Sequence, residues 1–187
     1  MNSEIILIGP IGIGKTTIGK LLAEKLKIPQ ITVDDVRTKY YKEIGYDEEL
    51  AKSKRETEGF WSLYQYWKPF EAHAVERLLS QYKNCVIDFG AGHSVYEDEM
   101  LFKRIQKILA PYQNVILLLP SSDPAESMEI LNERLNERAA FLRNLKPNIN
   151  EHFLKHHSNY DLAKFIVYTK GKTPEETCEE ILRLISK

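Results

Sequence analysis

Five short apolar runs punctuate the chain: Glu4 to Gly9, Gln30 to Val33, Cys85 to Phe89, Val115 to Leu119 and Phe165 to Thr169. In these runs hydrophobic residues follow one another instead of alternating with polar ones, the pattern of strands covered on both faces. Between them the apolar positions recur at helical spacing. Ile18, Leu21, Leu22 and Leu26 make one stripe, which ends at Ile28-Pro29 because proline cannot continue a helix. Glu97 to Leu109 reads as an amphipathic crossover helix. Met128, Leu131, Leu135, Ala139 and Leu142 make a longer stripe, and Ile181, Leu182 and Ile185 bury a closing helix. That last helix has a clear start, with Thr173 as N-cap, Pro174 at the first helical position and acids in the first turn. Strands alternating with helices predict crossover units and a parallel sheet, whose ligands gather where the strands end.

From Glu58 to Tyr82 the pattern changes. Phe60, Trp61, Tyr64, Tyr66, Trp67 and Phe70 crowd into a single stretch, more rings than one helical face needs. Part of them fits a core face with Ala74 and Leu78, and the remainder could wall a pocket for a flat or cyclic molecule. Pro69 should kink this helix unless it opens a second one.

A chain of 187 residues fits one domain and can bury a sizeable core. The net charge of -1 argues against a nucleic-acid partner, since no positive field holds a polyanion. Two cysteines, Cys85 and Cys178, give no disulfide framework and suggest a reducing compartment. The apolar runs are too short to cross a bilayer, and Met1-Asn2-Ser3-Glu4 has no basic start for a signal peptide. The expectation is a soluble, cytoplasmic protein with no membrane partner, a monomer or weak homodimer.

The chemistry begins directly after the first strand. Gly9-Pro10-Ile11-Gly12-Ile13-Gly14-Lys15-Thr16-Thr17 matches Gly-x-x-x-x-Gly-Lys-Thr in full, between a strand and a helix. Glycines let consecutive N–H groups turn toward an anion, the helix start adds its unpaired donors, and Lys15 adds a full charge that reaches the β- and γ-phosphates. Thr16 would be a hydroxyl ligand of Mg²⁺. At the end of the second strand, Asp34-Asp35 either caps the next helix or serves a ligand. At the end of the third, Asp88 is either a turn acid or the acid that orders Mg²⁺, followed by the small residues Gly90-Ala91-Gly92. His93 reads as a surface or turn histidine. Projected at about 100° per residue, Arg138 falls inside the Met128–Leu142 stripe and Arg134 at its margin, which calls for either bound phosphate or an internal carboxylate. Arg143 and Lys146 project elsewhere as solvated charge. His152 and His156 have an i, i+4 spacing that zinc can use, but no nearby Cys or acid completes the set, so no metal is read there.

With these residues laid out, the whole chain resembles the shikimate kinase family of small P-loop kinases. Gly-Pro-x-Gly-x-Gly-Lys-Thr-Thr-Ile-Gly-Lys-x-Leu-Ala at 9–23 and Thr-Pro-Glu-Glu at 173–176 carry the resemblance. It implies a P-loop NTPase α/β/α fold with a five-stranded parallel sheet of order 2-3-1-4-5. It also implies one kinase domain over 1–187, with an acceptor-binding segment at about 35–82 and a mobile lid at about 134–155. By resemblance, Asp34 holds the acceptor hydroxyl, Gly90, Ala91 and Gly92 stand at a glycine triplet beside the acceptor, Arg134 or Arg138 closes over the nucleotide, and Thr173-Pro174 lies beside adenine. The departures fall on the acceptor side. The family's first Asp is Thr32, the middle glycine is Ala91, and the two arginines expected to grip a carboxylate meet Phe60-Trp61 and His156. Asp88-Phe89-Gly90 is also similar to nucleoside monophosphate kinases.

The resulting expectation is ATP- and Mg²⁺-dependent phosphoryl transfer to a hydroxyl of a small molecule. Catalysis falls to Lys15, Asp34 and Arg138. Gly9, Ile11, Gly12, Ile13, Gly14, Lys15, Thr16, Thr17, Arg134, Thr173 and Pro174 hold the nucleotide, Thr16 and Asp88 the metal, and Asp34, Trp61, Gly90, Ala91 and Gly92 the acceptor. A nucleoside or nucleotide kinase, and an ATP-binding regulatory module with little turnover, are the alternatives.

Overall fold

The computed structural model describes residues 2–138 and 149–186. The five expected strands are present as β1 (Asn2–Ile8), β2 (Gln30–Thr32), β3 (Val86–Asp88), β4 (Tyr112–Leu119) and β5 (Phe165–Tyr168). They form one parallel sheet of order β2-β3-β1-β4-β5. β1 is central, with Ile6 opposite Ile87 of β3 on one side and Val115 of β4 on the other. The carboxyl ends of three strands therefore arrive together, since Asp88 pairs in register with both Leu7 and Thr32.

The connections are helical: α1 (Lys15–Leu26), α2 (Val33–Glu43), α3 (Glu48–Thr57), α4 (Phe60–Gln81), a 3₁₀ turn (Ala91–Ser94), α5 (Glu99–Leu109), α6 (Pro124–Arg138), α7 (Ile149–Lys155), α8 (His157–Leu162) and α9 (Pro174–Ile185). Ile5 to Ile8 and Val115 to Leu119 are buried along their whole length, as helices on both faces require. Each such side chain contributes about 1.5–3 kcal/mol of burial free energy. α1 packs against α9, and α4 against α2, α3 and α5. Cys85 and Cys178 are buried and free.

Several local expectations are corrected. α4 runs unbroken through Pro69. Proline removes one hydrogen bond to the carbonyl of Gln65, but Gln65 and Pro69 are both exposed, so the freed oxygen is on the solvent side. The opposite face buries Leu63, Tyr64, Phe70, Ala74, Val75 and Leu78, enough to hold the helix together. Asp34 does not cap α2. Thr32 is the N-cap residue, and Asp34 stands in the first turn with its Oδ1 3.4 Å from Arg37 Nη1. α5 begins at Glu99, capped by Asp98 Oδ1 accepting from Leu101 N–H at 2.8 Å, which leaves Glu97 outside the helix. Thr173 forms the expected cap as part of a reciprocal box with Glu176. Ala139, Leu142, Arg143 and Lys146 lie outside the described residues, and so does the side chain of Arg138.

Candidate active site

The loop between β1 and α1 is built by its glycines. Gly9, Gly12 and Gly14 have φ of 139°, 83° and 101°, conformations that L side chains rarely adopt. At Gly9 a Cβ would also lie 2.5 Å from the Leu118 carbonyl oxygen. Gly14 is the N-cap of α1 and supplies no side-chain acceptor, so the first turn of the helix presents its N–H groups outward. Lys15 folds back over the loop, its Nζ donating to the carbonyls of Gly9 at 2.8 Å and Pro10 at 2.9 Å. It is only 8% exposed. Burial lowers its pKa to about 8 against the opposing pull of the Asp88 and Asp34 carboxylates.

Asp88 is 3% exposed. Burial raises its pKa, while hydrogen bonding to Thr16, the charge of Lys15 and the donors Thr32 and Gln30 pull the other way. Its Oδ2 accepts from Gln30 Nε2 at 2.9 Å and Thr32 Oγ1 at 3.2 Å. A buried carboxylate touching the Thr16 hydroxyl and facing a lysine is a donor set of hard oxygens suited to Mg²⁺.

Three cavities follow one another along the carboxyl edge of the sheet. The first, about 270 Å³, lies between Gly12, Ile13 and Thr17 of the loop and Arg134, Thr169, Lys172, Pro174 and Thr177. Arg134 Nη1 donates to the Ile13 carbonyl at 3.4 Å across its mouth. The second, about 170 Å³, is enclosed by the loop, Lys15, Thr16, Asp34, Asp88 and Gly90-Ala91. The third, about 330 Å³, has an aromatic and aliphatic wall of Phe60, Leu63, Tyr64, Trp67, Ile149 and Phe153, and a polar side of Asp34, Arg37, Arg55, Glu71 and His93. Asp34, Gly90, Ala91 and Ile11 border both the second and the third.

The floor of the third cavity is rigid. Lys68 and Glu71, both buried, pair at 2.5 Å, and Lys68 Nζ also donates to the carbonyls of Gly92 and Val95 at 3.0 Å each, with the Tyr64 ring 3.8 Å away. A Cβ on Gly92 would come within 2.4 Å of Glu71 Oε1, and one on Gly90 within 2.7 Å of His93 Nδ1, which explains small residues at 90–92. His93 corrects its expectation as a surface residue: it is buried, with Nε2 3.1 Å from the Tyr41 hydroxyl. Burial lowers its pKa to about 3, so the ring is neutral at physiological pH. Its Nδ1 makes no hydrogen bond among the described residues.

Comparison with known proteins decides the family. The model of the shikimate kinase family matches residues 11–186. The chain belongs to the shikimate kinase family. It is 31% identical over 180 residues to the shikimate kinase of Thermodesulfovibrio yellowstonii, covering 96% of this chain and 93% of that protein. The structure of the Acinetobacter baumannii shikimate kinase in complex with shikimate superposes with a TM-score of 0.66 at 22% identity, covering 100% of this chain and 94% of that one. A gluconokinase from Sinorhizobium meliloti shares the fold at a TM-score of 0.54 and 16% identity, covering 99% and 94%. As a member of the shikimate kinase family the chain is an ATP-dependent phosphotransferase with a hydroxyl acceptor on a small molecule. Among the described residues no helix is long and apolar enough to cross a membrane.

Within this shikimate kinase fold the loop residues, Asp34, Asp88 and Gly90-Ala91-Gly92 come together around the second and third cavities. Pro174 lines the first cavity, and Thr173 next to it is engaged in capping α9. Trp61 is the exception. It stands outside the third cavity, 38% exposed, with its ring against Phe60, Tyr64 and His152. One helical step turns it about 100° from Phe60, which does line the wall together with Trp67. Sequence reasoning missed Arg37, Arg55, His93 and Asn150. The side-chain amide of Asn150 accepts from Ile11 N–H at 2.9 Å and donates to Ile11 C=O at 3.0 Å, holding the loop from α7. For Arg37 a signal was available, since it lies one helical turn from Asp34.

Proposed function

We propose that this enzyme moves the γ-phosphoryl group of ATP to a hydroxyl of a ring-bearing, anionic small molecule, in an acceptor site altered from that of the family pattern. The single observation that carries the reading is the wall shared by Asp34, which borders the phosphate cavity and the acceptor cavity at once. A hydroxyl bound in the third cavity would meet a phosphoryl group held in the second beside that carboxylate.

In this reading residues 35–82 carry the acceptor and 134–155 act as a lid. Gly9, Ile11, Gly12, Ile13, Gly14 and Thr17 cradle the phosphates, Arg134 lies over the nucleotide, and Thr173-Pro174 flank the base. Lys15 exchanges its two loop carbonyls for phosphate oxygens. Asp34 orients the acceptor hydroxyl and takes its proton as the new P–O bond forms and the bond to ADP breaks. Thr16 and Asp88 would hold Mg²⁺, which when bound neutralises charge on the β- and γ-phosphates. Arg138 stays assigned to transition-state charge as a second lid arginine.

The altered acceptor site rests on side chains around the third cavity. Phe60-Trp61 and His156 stand where the family's two carboxylate-gripping arginines are expected, and none of these side chains can form a bidentate fork. Arg37 and Arg55 line the cavity instead, from α2 and α3. They favour an acceptor with a carboxylate or phosphate, while Phe60, Tyr64 and Trp67 favour a ring. The test measures ADP release with a panel of shikimate, gluconate, nucleosides and nucleoside monophosphates. Turnover with an anionic cyclic acceptor, reduced in Arg37→Ala/Arg55→Ala through a higher KM, is the expected result. Turnover confined to uncharged acceptors, or none with any acceptor, overturns it.

A further inference from the structure

Three side chains that the phosphotransfer reading does not use meet on the far side of Tyr64. Glu97 lies just before α5, His152 in α7 and His156 at the N-cap of α8, and each brings one ligating atom to within 4.8 Å of the others. The acid that local spacing leaves out is thus supplied from 55 residues upstream of His152. We propose that Glu97, His152 and His156 form a binding site for one divalent transition metal of the zinc class.

The chemistry of the set selects the ion. Two imidazoles and a carboxylate give three ligands of a tetrahedral site and leave a fourth position for water, a combination that suits zinc and its neighbours. Magnesium and calcium prefer all-oxygen shells and would compete weakly. The donors are also held in place from behind. The Tyr64 hydroxyl donates to Glu97 Oε1 at 2.9 Å, and the rings of Trp61 and Tyr64 stand edge-on to His152 at 5.2 and 5.8 Å. His156 Nδ1 accepts from Ser158 N–H at 3.2 Å.

The metal-free state is poised for exchange. His152 Nε2 lies 2.6 Å from Glu97 Oε1, a hydrogen-bonded pair whose shared proton a cation would replace. Partial burial would raise the Glu97 carboxyl, yet the His152 hydrogen bond, the Lys68 charge and the Tyr64 hydroxyl outweigh it and hold the pKa at about 2. Burial lowers the His156 pKa against the pull of Glu97, and His152, His157 and Lys68 add to the lowering. His157 stacks on His156 but is tied through Nδ1 to Asp161 at 2.7 Å, outside the set. Coordination through the second nitrogen of His156 would move its proton to Nδ1 and give up the cap on α8, a single bond exchanged for a coordinate one.

Occupancy would fasten α7 to the start of α5. α7 also carries Asn150, so the metal would steady the same helix that holds the phosphate loop.

The test uses full-length protein without nucleotide, titrated with zinc and separately with cobalt(II). The expected result is one equivalent bound with a dissociation constant of about 1 µM or tighter, a melting temperature raised by zinc, and visible cobalt bands of tetrahedral type. His152→Gln and His156→Asn remove the ligands while keeping the hydrogen bond to Glu97 and the cap on α8. Each should weaken binding about tenfold or more, the pair should abolish it, and His157→Ala should leave it unchanged. Absence of uptake by the wild-type chain, or equal uptake by the double variant, overturns the site. Binding is read directly here, so the result is independent of whether the acceptor assignment holds.

Discussion

The two halves of the proposed site, one for phosphate and one for the acceptor, are built in different ways. The phosphate half is one contiguous loop, and the directions of its backbone N–H groups depend on glycine at Gly9, Gly12 and Gly14. The acceptor half is assembled from α2, α3, α4, the turn at 90–93 and α7, and its contacts are made by side chains. A site made of backbone has a fixed spacing and a narrow choice of residues. A site made of side chains on separate elements can change its ligand by single substitutions, while the fold and the chemistry at the other half stay as they are. The same fold is found in a shikimate kinase and in a gluconokinase.

The sharpest way to break the comparison is to remove the charge of the phosphate half. Lys15→Ala should cut turnover by about 10³-fold or more, with the circular dichroism spectrum unchanged. Normal activity in that variant would remove the distinction between the halves. Asp34, on the shared wall, should behave differently: Asp34→Asn is expected to lower kcat by about 10²–10⁴-fold and leave the dissociation constant for ADP within about twofold. Isothermal titration together with steady-state rates separates the two. The arginines belong to the acceptor half alone, so Arg37→Ala should raise the KM of an anionic acceptor by about tenfold or more with the KM for ATP unaltered.

A smaller effect comes from protonation. Burial holds the free Lys15 near pKa 8, and bound phosphate would raise it, so nucleotide binding takes up a proton above that value. Affinity for ADP should be flat below about pH 8 and then weaken by at most about tenfold per unit, a slope that Lys15→Met abolishes. The smallest expected change is one of stability. Gly92→Ala places a methyl group against Glu71 and should cost about 1–3 kcal/mol in urea unfolding, as overpacking does, while phosphate binding persists.

The same contrast governs what could be read before the structure. The strands, the loop and the closing cap were legible, because each is written in a single window: an apolar run, a glycine pattern, or Thr173-Pro174 with Glu176; the strand order followed from the family resemblance alone. Trp61 was chosen for the acceptor wall and Trp67 was not, since composition marks an aromatic segment without saying which way each ring turns. His93 was taken for a turn residue because its burial depends on Tyr41, far away in sequence. Pro69 looked like a break because the cost of a missing hydrogen bond is local, whereas the packing of α4 that offsets it is spread over three other helices. The pairing of Glu97 with His152 is of the same kind, invisible to spacing and plain in space.

Asn150 grips the N–H and the C=O of Ile11 with the two ends of its amide, much as one nucleobase pairs with another. The loop is therefore completed by a residue made 139 positions after it. During translation the glycine loop would leave the ribosome without its clasp, and the nascent chain would gain that clasp only once α7 had followed.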